Sequence, residues 1–299
     1  MKLKYWIIAA RLRTLPLAMS CILMGAALAQ INNYQVKIST LLLAFITTIF
    51  LQILSNFAND YGDGIKGTDR NRLKKDRMVE SNAITANQML VAIVSTSIIT
   101  FLIGLILLVD VFGIKKLYEF LFFLIIGITA IIASIKYTVG KNAYGYSGLG
   151  DLFVFVFFGL VGVIGSYYLF TNTFNIITLF GALFTGTLSC GVLNMNNMRD
   201  YKNDILSKKI TVVVSIGINA AKKYHYILIC SSLIAILTII YFSFNLLLLL
   251  SIIPFFFLFK HLIFISKKQN LNDLDGQLKL ISMSCFSSCF LLYLLSYIT

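Results

Sequence analysis

Acidic and amide side chains are concentrated in the segment SNFANDYGDGIKGTD (55–69), directly after an apolar run. Asn56, Asn59, Asp60 and Asp63 stand at positions i, i+3, i+4 and i+7 of this segment. If a helix continues through them, these offsets place all four side chains on one face. We call these four residues the first polar stripe.

A second group of the same composition lies in SCGVLNMNNMRDYKND (189–204). Asn196, Asp200 and Asn203 stand at i, i+4 and i+7, and Asp204 follows Asp200 by one helical turn. We call these four residues the second polar stripe.

The side chains of both stripes are suited to binding a divalent cation. Carboxylates brought together repel one another and raise one another's pKa unless positive charge lies between them. The ligands are all oxygens, with no Cys or His in either stripe, and this favours Mg²⁺ or Mn²⁺ over zinc or copper. Because Mg²⁺ often completes its coordination shell with substrate phosphate, the stripes predict a phosphorylated or diphosphorylated ligand.

Helix caps and turns are the alternative explanation for a single Asn-Asp pair, since these residues favour helix ends. Two stripes at the same depth relative to the membrane favour a functional site, because placing ionisable groups near a bilayer costs free energy. The Asn-Asp dipeptides at 59–60 and 203–204 are also a weak indication of an internal repeat.

Basic residues that would neutralise an anionic ligand flank both stripes, although cytoplasmic loops are rich in Lys and Arg for topological reasons alone. They are Arg11, Arg13, Lys66, Arg70, Arg72, Lys74, Lys75, Arg77, Arg199, Lys208 and Lys209.

A third group of chemically active residues occurs in SIKYTVGKNAYGYSGLGD (134–151), which combines four glycines with two lysines and three tyrosines. Tyrosines line aromatic or cationic sites, and they also anchor helices at a membrane interface. Composition leaves both interpretations open. The residues are Lys136, Tyr137, Lys141, Tyr144 and Tyr146.

The elements that must position these residues are membrane helices. The chain has 299 residues, of which 59% are hydrophobic and 12% charged, whereas soluble domains carry about 25% charged residues. Apolar runs recur close to the ~20 residues that cross roughly 30 Å of hydrocarbon. We predict a single domain, 1–299, forming an all-α bundle of about nine transmembrane helices at 14–31, 38–58, 88–109, 117–138, 149–170, 176–197, 224–242, 244–265 and 279–297.

The distribution of Lys and Arg predicts the orientation of the bundle. Apart from Lys37, Lys115 and Lys116, all of them lie in the N-terminal segment, in the loops after the second, fourth, sixth and eighth spans, or in the span ends beside those loops. The positive-inside rule places these segments and both polar stripes in the cytoplasm, with the C-terminus outside. The net charge of +13 therefore needs no nucleic-acid partner.

Cysteine and histidine are expected to be structural here. All five cysteines fall inside apolar spans, where Cys packs as a small hydrophobe, and no Cys/His spacing typical of zinc sites occurs. A cation-coupled transporter is an alternative function of another class, but transporters place such groups near the bilayer midplane.

The motifs around these residues resemble those of the UbiA superfamily of intramembrane prenyltransferases. That superfamily shares two aspartate-rich motifs at the cytoplasmic ends of the second and sixth helices of a nine-helix bundle. The 136–162 block is similar to the branch acting on 1,4-dihydroxy-2-naphthoate rather than to the 4-hydroxybenzoate branch. The matching segments are RLRTLP (11–16), NFANDYGDGIKGTD (56–69), RMVESNAIT (77–85), KYTVGKNAYGYSGLGDLFVFVFFGLVG (136–162) and NMNNMRDYKND (194–204).

Two departures from the family pattern bear on the site. Gly67 stands where a third aspartate is usual after Asp63, so that Asp60 or Asp69 is expected to take over as ligand. Lys208 stands where a glycine is usual, before Lys209.

The resemblance implies an Mg²⁺-dependent enzyme of a bacterial inner membrane with its active site facing the cytoplasm; Mn²⁺ is an alternative metal. It implies transfer of a polyprenyl group from polyprenyl diphosphate to 1,4-dihydroxy-2-naphthoate, releasing CO₂ and pyrophosphate. Another aromatic acceptor, such as 4-hydroxybenzoate, is the nearest alternative substrate. The protein is expected to be surrounded by membrane lipid.

The resemblance also suggests roles for individual residues. Catalysis is expected at Asp60, Asp63, Asp200 and Asp204, and metal binding at Asn59, Asp60, Asp63, Asn196, Asp200 and Asp204. The diphosphate is expected at Asn56, Lys66, Arg72, Arg77, Arg199 and Lys209. The aromatic substrate or prenyl cation is expected at Arg11, Lys136, Tyr137, Lys141 and Tyr144.

Overall fold

The structure is a computed structural model that describes residues 3–68, 77–113, 115–268 and 274–298. Its helices are α1 (Leu3–Ala10), α2 (Leu15–Ile31), α3 (Ile38–Lys66), α4 (Ala86–Phe112), α5 (Leu117–Lys136), α6 (Gly150–Val154), α7 (Ser166–Thr171), α8 (Ile177–Leu206), α9 (Val212–Ser243), α10 (Phe255–Lys267) and α11 (Asp275–Ile298). Short 3₁₀ turns cover Leu12–Thr14, Tyr144–Tyr146 and Leu246–Ile252. A π-helical segment, Phe155–Gly165, joins α6 to α7.

Nine helical stretches within the described residues are long and apolar enough to cross a membrane, which confirms the predicted all-α membrane fold. They run Leu3–Ile31, Ile38–Lys66, Ala86–Phe112, Leu117–Lys136, Gly150–Thr171, Ile177–Leu206, Val212–Ser243, Leu246–Lys267 and Gly276–Ile298.

The largest differences from the predicted spans lie at the ends of four stretches. The first begins at Leu3 rather than 14 and the seventh at Val212 rather than 224, while the second and sixth continue to Lys66 and Leu206 rather than stopping at 58 and 197. Hydropathy underestimates these helices because the turns at these ends carry polar or charged residues and extend past the hydrocarbon. Gly217, with a φ of 78°, interrupts the helical backbone near the start of the seventh stretch. The seventh and eighth stretches are separate, as predicted, and the chain turns at Phe244, whose φ is 52°.

The first stretch is broken near a predicted site residue. Arg11 has a φ of 48°, in the left-handed region, between α1 and the Leu12–Thr14 turn. On α3, the side-chain NH₂ of Asn56 donates to the Ala10 carbonyl at 2.8 Å and to Thr14 Oγ1 at 3.1 Å. These bonds stabilise the break against α3 and so determine where Arg11 lies.

Glycines let the helices around α2 and α8 approach closely. A Cβ at Gly25 of α2 would clash with Ser166 Oγ, and one at Gly159 of the π-helical segment would lie 2.6 Å from the Ala182 carbonyl oxygen. Side chains of α2, α8, α9, α10 and α11 form the main core. A second core joins α1, α3 and α4 to the 77–84 turn.

Three buried polar side chains, Asn194, His225 and His261, and the half-buried Gln277 cross the main core as a hydrogen-bonded chain. Asn194 Nδ2 lies 3.4 Å from His225 Nδ1, the two histidine Nε2 atoms lie 2.8 Å apart, and His261 Nδ1 lies 2.7 Å from Gln277 Oε1. With both rings neutral, every bond has one hydrogen if Asn194 donates to His225, His225 to His261, and His261 to Gln277. The chain links α8, α9, α10 and α11.

Candidate active site at the polar ends of two helices

Both polar stripes lie on continuous helices, as their spacing predicted. The first stripe belongs to the last turns of α3, which ends at Lys66, and the second to the last turns of α8, which ends at Leu206. The side chains of each stripe therefore project from a rigid helix rather than from a loop.

A cavity of about 590 Å³ opens between these helix ends and continues into the apolar bundle. Its polar end brings together nine of the predicted site residues: Arg11, Asn56, Asn59, Asp63, Arg77, Tyr137, Tyr144, Asn196 and Lys209. The remainder is a largely apolar wall from α5, the π-helical segment and neighbouring helices, including Phe122, Phe123, Phe157, Leu160 and Val161.

Asp63 is the carboxylate at the centre of this polar end. It is buried, and Arg77 Nη2 donates to its Oδ2 at 3.1 Å while the Tyr146 hydroxyl donates to its Oδ1 at 2.7 Å. Each carboxylate oxygen accepts in two lone-pair directions, so both oxygens keep a second acceptor position.

Asp60 faces a different direction from Asp63. It is fully buried, its Oδ2 accepts the Met78 backbone N–H at 3.0 Å, and its Oδ1 accepts that of Val79 at 2.9 Å. It does not line the cavity. Asp60 therefore holds the turn that carries Arg77, and its expected function as a ligand or catalytic residue stays a prediction.

Asn59 is positioned by the start of the loop that follows α5. Thr138 Oγ1 donates to the Ala58 carbonyl at 2.8 Å and lies 3.2 Å from Asn59 Oδ1. Gly62 permits this approach, because a Cβ there would lie 2.7 Å from the Thr138 carbonyl oxygen.

The second stripe is held largely by its own arginine. Arg199 donates to both carboxylate oxygens of Asp200, each at 2.8 Å, and to Asn196 Oδ1 at 2.6 Å. Asn203 Nδ2 donates to the Thr68 carbonyl at 2.7 Å, which joins α8 to the end of α3.

Lys209 supplies positive charge between the stripes. Burial alone would lower the pKa of its ammonium, but the neighbouring carboxylates of Asp63 and Asp204 raise that pKa above its usual range. Lys209 is thus a permanent cation. Together with Arg77 and Arg199 it offsets the repulsion that the sequence predicted among the carboxylates.

The loop after α5 contributes an aromatic wall. Tyr137 and Tyr144 meet edge to face at 5.3 Å, and Tyr144 stacks on Phe153 at 3.9 Å. Burial raises the pKa of Tyr137 to about 12 and also raises that of Tyr144. Both rings therefore stay neutral phenols at physiological pH.

Tyr146 is a site residue to which the sequence analysis assigned no role. Its hydroxyl lies 2.6 Å from Thr68 Oγ1 as well as 2.7 Å from Asp63, and the Lys66 and Lys209 ammonium groups lie 3.9 and 5.2 Å from its ring centre. Burial first, then the Asp63 charge, raises the pKa of this phenol. The three tyrosines clustered in 134–151 are the sequence feature that could have identified it.

Several predicted residues are not at the cavity. Lys66, Lys136 and Lys141 are exposed and do not line it. Arg199, Asp200 and Asp204, on the last turns of α8, do not line it either. The predictions for Arg72 and Asp69 concern residues outside the described part of the chain.

The donors at the polar end fit a hard divalent cation. Over the described part of the chain, no three Asp, Glu, His or Cys side chains converge on one point, so a cation here would draw on the amide oxygens of Asn59 and Asn196 as well as on Asp63. Oxygen donors of mixed charge suit Mg²⁺, which keeps waters and substrate phosphates in its shell.

Residues 18–279 match the model of the UbiA prenyltransferase family. The chain belongs to this family. Its relatives include a 1,4-dihydroxy-2-naphthoate octaprenyltransferase of Haemophilus influenzae, 42% identical over 76% of this chain and 74% of the relative. The enzymes of the same name from Escherichia coli and Mycobacterium tuberculosis are 42% and 37% identical, covering 77% and 71% of this chain and 74% and 70% of theirs.

Solved UbiA structures share the fold. A UbiA homologue from Archaeoglobus fulgidus bound to GPP and Mg²⁺ superimposes with a TM-score of 0.66 over 97% of this chain and 99% of the homologue, at 13% identity. The apo structure of a UbiA homologue from Aeropyrum pernix gives a TM-score of 0.63 over 95% and 98%, at 10% identity.

Proposed function

We propose that this UbiA-family protein transfers a polyprenyl group from polyprenyl diphosphate to 1,4-dihydroxy-2-naphthoate. One observation carries the proposal: a single cavity joins the charged ends of α3 and α8 to a long apolar wall inside the bundle. Such a cavity matches a substrate with an anionic head and a hydrocarbon tail. The relatives at 37–42% identity, named for this reaction, support the choice of acceptor.

Binding of the diphosphate is assigned to the polar end. Asn59, Asp63 and Asn196, backed by Asp200 and Asp204, would hold Mg²⁺, with Mn²⁺ able to replace it. The metal supplies Lewis-acid stabilisation of the negative charge that develops on the leaving diphosphate. Binding of GPP and Mg²⁺ by the homologue from A. fulgidus supports this choice.

Arg77 and Lys209 are the protein's own cations at the cavity. Both are buried, Arg77 donates to Asp63 Oδ2 at 3.1 Å, and the Asp63 charge stabilises the Lys209 ammonium. Preorganised cations stabilise a developing anion without reorganising, and losing one such donor typically costs about 2.7–4 kcal/mol of barrier.

The allylic carbon becomes electron-poor when its bond to the diphosphate oxygen breaks. Tyr137 and Tyr144 present neutral rings at this part of the cavity, and a ring face stabilises a nearby cation. The apolar wall excludes the water that would otherwise capture the cation.

The acceptor reacts at the ring carbon that carries its carboxylate. A new bond forms from that carbon to the prenyl group, and CO₂ leaves while its bonding electrons restore the aromatic ring, giving the quinol of demethylmenaquinone. Arg11 is placed to hold the acceptor's carboxylate because it lines the cavity. Lys136 and Lys141 are exposed away from it.

The orientation of the bundle completes the proposal. The Lys and Arg distribution supports an orientation with the N-terminus and the polar end of the cavity in the cytoplasm of a bacterium and the chain in the inner membrane.

The test uses membranes containing the full chain, a radiolabelled polyprenyl diphosphate and separate aromatic acceptors. We expect a prenylated product and labelled CO₂ from carboxyl-labelled 1,4-dihydroxy-2-naphthoate, and neither from 4-hydroxybenzoate. Product from 4-hydroxybenzoate alone would reassign the acceptor. No transfer to any aromatic acceptor, together with cation flux in proteoliposomes, would favour the transporter alternative.

A further inference from the structure

Tyr146 lies where three separate segments of the chain meet. It belongs to the turn after α5, yet its hydroxyl contacts Asp63 and Thr68 at the end of α3, and its ring lies beside Lys209, which follows α8. A parallel backbone pairing of Ser147 with Ile210 places the turn against the segment that carries Lys209.

The hydrogen bonds around the Tyr146 hydroxyl have one consistent direction. An ionised Asp63 carboxylate only accepts, so the single Tyr146 hydrogen goes to Asp63 Oδ1. The Thr68 hydroxyl must then donate to the Tyr146 oxygen. Because Asn203 donates to the Thr68 carbonyl, the chain of contacts runs from the second stripe through Thr68 and Tyr146 to the first stripe.

We propose that Tyr146 is a positioning residue that orients the Asp63 carboxylate for divalent-cation binding and holds Lys209 beside it for the diphosphate. The inference rests on the proposed function, which places a divalent cation and a diphosphate at this end of the cavity. Hydrogen bonds to a ligating carboxylate fix its orientation, and their removal typically costs 10–100-fold in metal affinity.

Two substitutions separate the hydroxyl from the ring. Tyr146→Phe removes the bond to Asp63 but keeps a ring face for Lys209, whereas Tyr146→Leu removes both. Tyr226→Phe is the matched control, because its hydroxyl donates to the Leu262 carbonyl at 2.9 Å, away from the cavity.

The experiment measures binding rather than turnover, using purified full-length protein in detergent. Mn²⁺ affinity is read by electron paramagnetic resonance, and pyrophosphate affinity by displacement of a fluorescent prenyl diphosphate analogue. We expect Tyr146→Phe to weaken Mn²⁺ binding about 10- to 100-fold. Tyr146→Leu should also weaken pyrophosphate binding by about fivefold, and Tyr226→Phe should match the wild type.

Thr68→Val keeps the test decisive if the Tyr146 variants do not fold. It removes only the donor to the Tyr146 oxygen, and we expect Mn²⁺ affinity to fall about two- to tenfold. The inference is overturned if a folded Tyr146→Phe protein binds Mn²⁺ within twofold of the wild-type affinity. If the Tyr146 variants cannot be purified, unchanged Mn²⁺ affinity in Thr68→Val overturns it.

The outcome also distinguishes this inference from the proposed function. Wild-type protein that binds no Mn²⁺ would overturn both. If the wild-type protein binds Mn²⁺ and the Tyr146→Phe variant binds it equally well, only the assignment of Tyr146 is overturned.

Discussion

Asp63 and Asp204 occupy the same position in two matching helix ends. The Asp63 carbonyl accepts the backbone N–H of Thr68 at 3.0 Å, and the Asp204 carbonyl accepts that of Lys209 at 2.9 Å. These are bonds from a residue five positions further along the chain, the signature of a Schellman motif. In the two helix ends, Asp63 therefore corresponds to Asp204. The two Asn-Asp dipeptides that suggested a repeat, at 59–60 and 203–204, do not occupy corresponding positions.

Both departures from the family pattern lie at the residue that precedes the donor of this bond, Gly67 before Thr68 and Lys208 before Lys209. Gly67 has a φ of 68° and Lys208 a φ of 56°, so both adopt the left-handed conformation that a Schellman motif requires. Glycine adopts it without strain, whereas other L-residues are disfavoured there by roughly 1–2 kcal/mol. At position 67 the helix ends in the conformation suited to glycine, in place of a third aspartate.

This equivalence predicts opposite effects of substitutions at the two positions. Lys208→Gly should stabilise the protein by about 0.5–1 kcal/mol. This net gain is the backbone strain that the glycine relieves minus the extra conformational entropy that a glycine loses on folding. Gly67→Ala should destabilise it by about 1–2 kcal/mol. Denaturant unfolding in a fixed detergent measures both, and a lower stability for Lys208→Gly would contradict the strain argument.

The sequence predicted the features that depend on short-range spacing. The two stripes, the nine spans and the cations at positions 77 and 209 follow from helical period, hydropathy and charge, which neighbouring residues determine. The partners of Asp60 and the position of Tyr146 depend on contacts between segments far apart in the chain. Asp60 and Asp63, three positions apart, look alike in sequence, and only the contacts of Asp60 with the 77–79 turn show that it faces away from the cavity.

Loss of one carboxylate from either stripe should stop the reaction. Asp63→Asn removes charge from the cavity, and Asp200→Asn removes the carboxylate that holds Arg199, which in turn donates to Asn196. We expect prenyl transfer in membranes to fall at least about 100-fold with protein levels intact, and EDTA to stop the wild-type reaction until Mg²⁺ is restored. Near wild-type turnover in either variant would exclude that residue from the site.

Asp60 should affect the 77–79 turn more than the cavity. In Asp60→Asn, an amide NH₂ replaces an acceptor oxygen that faces the N–H of Met78 or Val79, so one buried donor loses its partner. We expect a stability loss of about 1–3 kcal/mol and faster hydrogen exchange of these two amides, with Mn²⁺ affinity retained. Slow exchange at both amides combined with lost Mn²⁺ binding would instead support Asp60 as a ligand.

Gly62 should be intolerant of even one methyl group. A Cβ at this position meets backbone atoms of Thr138 at 2.7 Å and 2.8 Å, so Gly62→Ala must separate α3 from the loop that positions Asn59. We expect a loss of prenyl transfer that exceeds any loss of expression. Gly276→Ala is the control, since a Cβ there meets nothing within 4 Å, and equal activity of the two variants would argue against close packing at Gly62.

The His225–His261 pair should show strong energetic coupling. Each ring is buried, and removing one leaves the facing Nε2 of the other without a partner, which costs about 1–3 kcal/mol in addition to any packing loss. His225→Leu and His261→Leu should therefore each destabilise the bundle, whereas the double variant should cost less than the sum because no ring nitrogen is left facing a leucine. A double-mutant cycle of unfolding free energies in detergent measures this coupling. Additive losses would mean that the 2.8 Å contact between the rings contributes nothing to holding α9 against α10.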